Sequence, residues 1–186
     1  MPGTVCQTAA MGYTVRRVRA QEWEAVRAVR LEALQDAVAH LAFLTSYEEA
    51  AAHAPGFWQE RAAGAATGGA VAQYVVVDPD GRWVGSATGL LEEPGASDLA
   101  GQVVDARQVH VVGVWLHPAH RGRGLIQEAI GAVVAWGREH GATRARLYVH
   151  AENPRAQAAY EKAGFVVTGE TFESTVGPEV ELAKAV

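Results

Sequence analysis

An apolar run ending in Val114-Trp115-Leu116 meets Pro118 and then Arg121-Gly122-Arg123-Gly124-Leu125-Ile126, a glycine-arginine loop that opens a helix. That order of residues suits the binding of phosphates. Glycine lets the backbone approach a ligand closely, and the unpaired N–H groups of a first helical turn face it with the positive end of the helix dipole. Arg121 and Arg123 add charge and forked donors. Two better-known phosphate loops do not fit. A P-loop requires a Gly-Lys-Ser/Thr ending, and a dinucleotide fingerprint counted from Gly122 requires a small residue where Gln127 stands.

A second segment runs Leu147-Tyr148-Val149-His150-Ala151-Glu152-Asn153-Pro154-Arg155-Ala156, reaches Tyr160 and closes on Ala163-Gly164-Phe165. Asn153 is a good helix cap, Pro154 suits the first helical position, and Gly164 ends the helix. Tyr160 follows Asn153 by seven residues, two helical turns, so it projects from the same helix face. Taken alone, an amphipathic core position is the plainer role for this tyrosine.

In this order the two segments resemble the signature motifs of the GCN5-related N-acetyltransferase (GNAT) family, whose Arg/Gln-x-x-Gly-x-Gly/Ala loop binds the coenzyme A pyrophosphate. Arg121 and Gly124 match the first two fixed positions, whereas Ile126 stands where the third is usually small. The resemblance implies acetyl-CoA as co-substrate, held by Arg121, Gly122, Arg123, Gly124 and Ile126 with Asn153. Its pantetheine arm would pair with the strand carrying Val114 and Leu116, leaving backbone N–H groups to face the acyl carbonyl. The implied reaction is direct attack by a primary amine of a small molecule or peptide, in a ternary complex. Tyr160 matches the family's usual general acid, which protonates the departing sulfur.

The base is less fixed. Some members place a glutamate eleven residues before the loop's first Arg/Gln, and here that position is His110. An imidazole with a reference pKa of about 6.5 suits a base at neutral pH, and a buried, hydrogen-bonded strand histidine is the equal alternative. Asp105 and Glu92 come next; His117 and His120 flank the loop, and His150 ends a strand. No histidine pair has metal-ligand spacing with a supporting carboxylate, so no metal is expected. Ile126 and the missing strand glutamate also leave room for a non-catalytic acyl-CoA sensor, which would bind acetyl-CoA and turn over no amine.

These residues need a scaffold. Alternation and helical spacing predict strands near 13–19, 74–77, 83–91, 109–116, 165–173 and 179–185, another through Leu147, and helices over 22–34, 125–140 and from Asn153. Residues 37–63 read as helical but broken at Pro55-Gly56, 64–69 as small and flexible, and 92–107 as a loop. The expected fold is single-domain α/β (α+β), a mixed central sheet of about seven strands flanked by helices, over 13–186; residues 1–12 are expected to be disordered. Arg27 and Arg30 read as a solvated helix face, and the acceptor pocket is expected from 37–69 and 92–107.

Bulk properties agree. The chain has 186 residues, 49% of them hydrophobic, enough for one substantial core. Its one cysteine, Cys6, makes no internal disulfide, which points to a reducing, cytoplasmic setting. A net charge of −5 argues against nucleic acid as the main partner, and there is no run of apolar residues long enough for a membrane span. Whether the chain forms a homodimer stays open.

Overall fold

The β-branched and alternating segments assemble into one mixed sheet in the computed structural model, which describes residues 6–7, 12–98 and 100–186. In chain order the elements are β1 (Cys6–Gln7), β2 (Thr14–Arg17), α1 (Trp23–Ala33), α2 (Tyr47–Ala52), α3 (Pro55–Thr67), β3 (Val71–Val77) and β4 (Trp83–Glu92). Then follow β5 (Gln108–Leu116), α4 (Leu125–Glu139), β6 (Arg144–His150), α5 (Pro154–Lys162), β7 (Val166–Ser174) and β8 (Gly177–Ala185). The strands lie in the order β1-β2-β3-β4-β5-β6-β8-β7. The seven expected strands are all present, and the two-residue β1 adds an edge beside β2. The rest of the segment before Gly12, expected to be disordered, lies outside the described residues.

Each face of the sheet is covered by helices whose apolar stripes match it. Val26 and Val29 of α1 pack with Trp58 and Ala62 of α3 over Val75 and Trp115. On the other face Ile130, Val133 and Trp136 of α4 pack over Val109 and Val111. Burying a side chain such as Ile130 contributes about 1.5–3 kcal/mol. Gly137 sets how close α4 comes: a Cβ there would stand 2.7 Å from both Cβ and Cγ1 of Val109. A β-branched residue fixed in a strand has little room to yield. Gly137→Ala should therefore destabilise the protein by about 1–3 kcal/mol despite its better helix propensity, read as a lower urea midpoint; an unchanged or raised midpoint would show that the sheet yields.

Residues 37–63 depart from expectation. Pro55 does not break a helix there; it is the first residue of α3, where its missing N–H costs nothing. The helix then runs through Gly64 to Thr67 rather than dissolving into a flexible stretch, because Ala62 and Ala65 are buried against the sheet. The preceding α2 is a short helix closed by a capping box between Ser46 and Glu49.

Candidate active site

The parallel pair β5–β6 organises the site. It is in register only at Gln108↔Arg144, Val109↔Ala145 and His110↔Arg146, after which the strands part. β5 also shifts register against β4 between Ser86 and Thr88, opposite Gly113 and Val114. From Val111 onward the edge of β5 that faces β6 has no strand partner among the described residues, and a cleft of about 830 Å³ opens along it. A strand with a free edge offers its backbone donors and acceptors to an extended ligand. Val114 and Leu116 both line this cleft.

The cleft continues to the start of α4. Gly124 is the N-cap with φ +76°, and among the described residues no side chain caps the helix. The first-turn N–H groups are thus left for a ligand. Gly122, Gly124 and Ile126 line the cleft, and Ile126 also packs against the core beneath α4. Both arginines have partners within the protein, and Arg121 also lines the cleft. Arg121 forms a close ion pair with Asp36 and donates from Nε to the Leu116 carbonyl at 2.9 Å, while Arg123 donates to the Tyr13 hydroxyl at 2.8 Å and is not part of the cleft lining. Burial raises the Asp36 carboxyl, but hydrogen bonds from Val38, Trp115 and Arg121 outweigh it and leave its pKa below the usual range. Arg121 therefore ties the loop to the end of α1.

Asn153 caps α5 by accepting from the Ala156 N–H at 3.2 Å, and it lines the cleft. Tyr160, from the same helix, is both of the things its position allowed: a buried side chain packed in the core and a cleft-lining one. Among the described residues its hydroxyl has no hydrogen-bond partner. Burial, with the Glu179 charge adding to it, raises the phenol's pKa well above its ordinary value, so it stays protonated.

His110 lines the cleft on β5 and is 4% exposed. Its Nδ1 lies 3.1 Å from Glu92 Oε1 and its ring meets Tyr148 edge-on at 5.5 Å. Glu92 in turn receives Nε and Nη2 of Arg146 at 2.9 and 2.6 Å. Burial would raise the Glu92 carboxyl, but the hydrogen bonds and charges of His110 and Arg146 bring it down to about 2. An ionised Glu92 fixes the Nδ1–H tautomer of His110 and leaves Nε2 as the basic nitrogen. Arg146, wholly buried, also pairs with Asp98 at 2.9 Å and closely contacts the Tyr148 hydroxyl.

Other sequence candidates have structural duties. His117 accepts from the Ala119 N–H, His120 bonds Tyr13, and His150 is held between the Val176 carbonyl and the Glu152 N–H. Asp105 is exposed and is not part of the cleft lining. Arg30, read from sequence as a solvated face, instead lines the cleft with its guanidinium 4.4 Å from the Phe43 ring centre. Arg61 of α3 lines it too, a residue that sequence reasoning passed over for want of any motif around it.

The chain belongs to the acetyltransferase (GNAT) family, whose profile matches residues 23–165. Over 63 residues it is 44% identical to a mycothiol acetyltransferase of Corynebacterium glutamicum (strain R), a match covering 34% of this chain and 21% of that protein, so the chain spans about a fifth of the curated relative it matches. The ribosomal-protein-S5-alanine acetyltransferase of Vibrio fischeri superposes with a TM-score of 0.72 at 14% identity, over 98% of this chain and 96% of that one. A phosphinothricin acetyltransferase of Sinorhizobium meliloti in complex with AcCoA gives 0.67 at 16%, over 95% and 89%. At such identities the likeness is one of fold. Among the described residues no helix is long and apolar enough to cross a membrane.

Proposed function

We propose that this chain transfers the acetyl group of acetyl-CoA to a primary amine by direct attack in a ternary complex. One observation carries the reading: the free edge of β5 leads, within a single cleft, from buried His110 past Tyr160 to the uncapped N-terminus of α4. The pyrophosphate would sit on the N–H groups of that first turn, and the pantetheine arm along residues 111–116, with Val114 and Leu116 in the contact. Arg121 holds the loop in place through Asp36, and Arg123 contributes field rather than contact. Asn153, whose Oδ1 caps α5, lines the same cleft.

For the chemistry, the amine must lose a proton and the thiolate gain one. His110 Nε2 would accept the first, with Glu92 as the positioning residue on the far nitrogen. Tyr160 would give the second: burial disfavours an ionised phenol there, and a nascent thiolate in the same cleft is disfavoured for the same reason. The new amide bond forms as the C–S bond breaks, and the Tyr160 proton ends on sulfur. Backbone N–H groups on the free edge of β5 are placed to take the oxyanion.

Gly124→Glu tests the cofactor half. A Cβ at Gly124 meets nothing within 4 Å, so the fold tolerates the bulk apart from the strain of a positive φ, about 1–2 kcal/mol. Its carboxylate would occupy the positive end of α4 in place of phosphate. Calorimetry should show acetyl-CoA affinity reduced at least about tenfold, equivalent to 1.4 kcal/mol. Undiminished affinity in a folded variant removes the loop from the mechanism. A chain that binds acetyl-CoA but releases no coenzyme A with any amine is instead a sensor.

A further inference from the structure

Among the described residues, ion pairs and carbonyl contacts account for the partly buried cations with one exception, Arg30, which stands beside the exposed Arg61. Arg16 has Glu22, Arg121 has Asp36, Arg146 has Glu92 and Asp98, and Arg17 donates to the carbonyls of Ala65, Gly68 and Val71. Arg30 on α1 and Arg61 on α3 line the cleft wall, as the exposed Arg155 and Lys162 of α5 also do, and among the described residues neither Arg30 nor Arg61 has a hydrogen bond or a carboxylate within ion-pair distance. They do have each other: burial and the neighbouring Arg61 charge pull Arg30 down to about 10. Two like charges brought together without a counter-ion weaken a fold, and such an arrangement in a cleft is the mark of a site for the opposite charge.

The surroundings are polar where the arginines meet the sheet. A cavity of about 10 Å³ behind them is lined by Gln73, Ser86, Thr88 and Gly113. That is room for a single water. Among the described residues the Gln73 and Thr88 side chains make no hydrogen bond, although both are buried at 6% and 5% exposure. Gly113 belongs to the irregular stretch of β5 whose edge opens the cleft, so this polar corner adjoins the place where the acyl group would lie. The Arg30 guanidinium is braced over Phe43, which leaves its edge donors for a ligand. The corner belongs to the α1–α3 wall and the proposed pyrophosphate site to the start of α4, so the two would hold different anions.

We propose that Arg30 and Arg61 form an anion-binding subsite for the acceptor, which is thereby an amine that also carries a carboxylate or phosphate group. Planar guanidinium forks match both oxo-anions and bind them through paired N–H···O bonds. This identification of the substrate class rests on the acetyl-transfer reading, and the test separates the two.

Binding of inorganic phosphate and of propionate to the CoA-saturated chain is followed by tryptophan fluorescence, so that the pyrophosphate loop is already filled. At least one of the two should bind saturably, with affinity cut about tenfold or more in Arg61→Gln and less in Arg61→Lys, which keeps the charge but not the fork. Coenzyme A release is then measured for matched amines, an aminoalkanoate against its amide and an aminoalkyl phosphate against the parent alcohol. An anionic member should be preferred at least about tenfold in kcat/KM, and Arg61→Gln should bring that ratio close to one. Saturable binding without turnover of any amine would uphold the subsite and sink acetyl transfer. Turnover confined to neutral amines, no saturable binding of either anion, or a preference untouched by Arg61→Gln would each overturn the subsite.

Discussion

Tyr160→Phe is expected to lower kcat by about 10²-fold or more while acetyl-CoA affinity stays close to that of the parent chain. The split follows from where the phenol stands. Its ring is buried among core residues, and phenylalanine preserves that packing. Its hydroxyl has no hydrogen-bond partner among the described residues, so removing it strands no buried group and should leave the melting temperature unchanged. Only the proton donor is lost. Because a thiolate leaving into a buried cleft gains charge mainly in the transition state, the missing O–H acts on that state and not on bound acetyl-CoA. Steady-state kinetics with a competent amine, alongside calorimetry with acetyl-CoA, measure both quantities. Near-normal kcat in the variant would remove Tyr160 from proton transfer and leave it a core residue.

How much of this was legible in the sequence depends on how far apart the cooperating residues are. The loop before α4 and the start of α5 are written in adjacent letters, Gly122 to Ile126 and Asn153-Pro154, because caps and turns are local physics. The strands were equally plain, since apolar and β-branched runs bounded by turn residues are local signals too. Residues 55–67 were misjudged because proline and glycine punctuate ambiguously: Pro55 can start a helix as readily as it stops one, and Gly64 is tolerated when its neighbours Ala62 and Ala65 are buried.

Long-range partners left no local trace. Arg121 looks like a phosphate ligand beside Gly122, yet its carboxylate partner Asp36 is 85 residues away. Glu92 and Arg146, 54 residues apart, decide the tautomer of His110 through a pairing that no spacing encodes. Arg30 looked solvated because the helix α1 repeat is polar at that position, and only the approach of α3 and the 38–45 segment makes that face the wall of a cleft. Side chains with strong local signatures were thus placed, and those whose role depends on a distant counterpart were not.

His110→Gln should also cost about 10²-fold in kcat at neutral pH, with a second signature that Tyr160→Phe lacks. Glutamine keeps an amide donor for Glu92, so the carboxylate that Arg146 already holds ionised is not abandoned in the interior. What it cannot do is take a proton from the amine. A base must be unprotonated to act, so in the parent chain activity should fall as pH drops through the ionisation of the base. That acid limb should vanish from the kcat/KM profile of the variant, leaving a low rate that varies only with the fraction of free amine. Glu92→Gln offers a check of a different kind. It leaves the imidazole present but loses the carboxylate that orients Nδ1–H, so kcat should fall, though by less than in His110→Gln. If His110→Gln keeps both the rate and the limb, a water chain or another residue takes the proton, and the His110–Glu92 pair is a structural strut between β4 and β5.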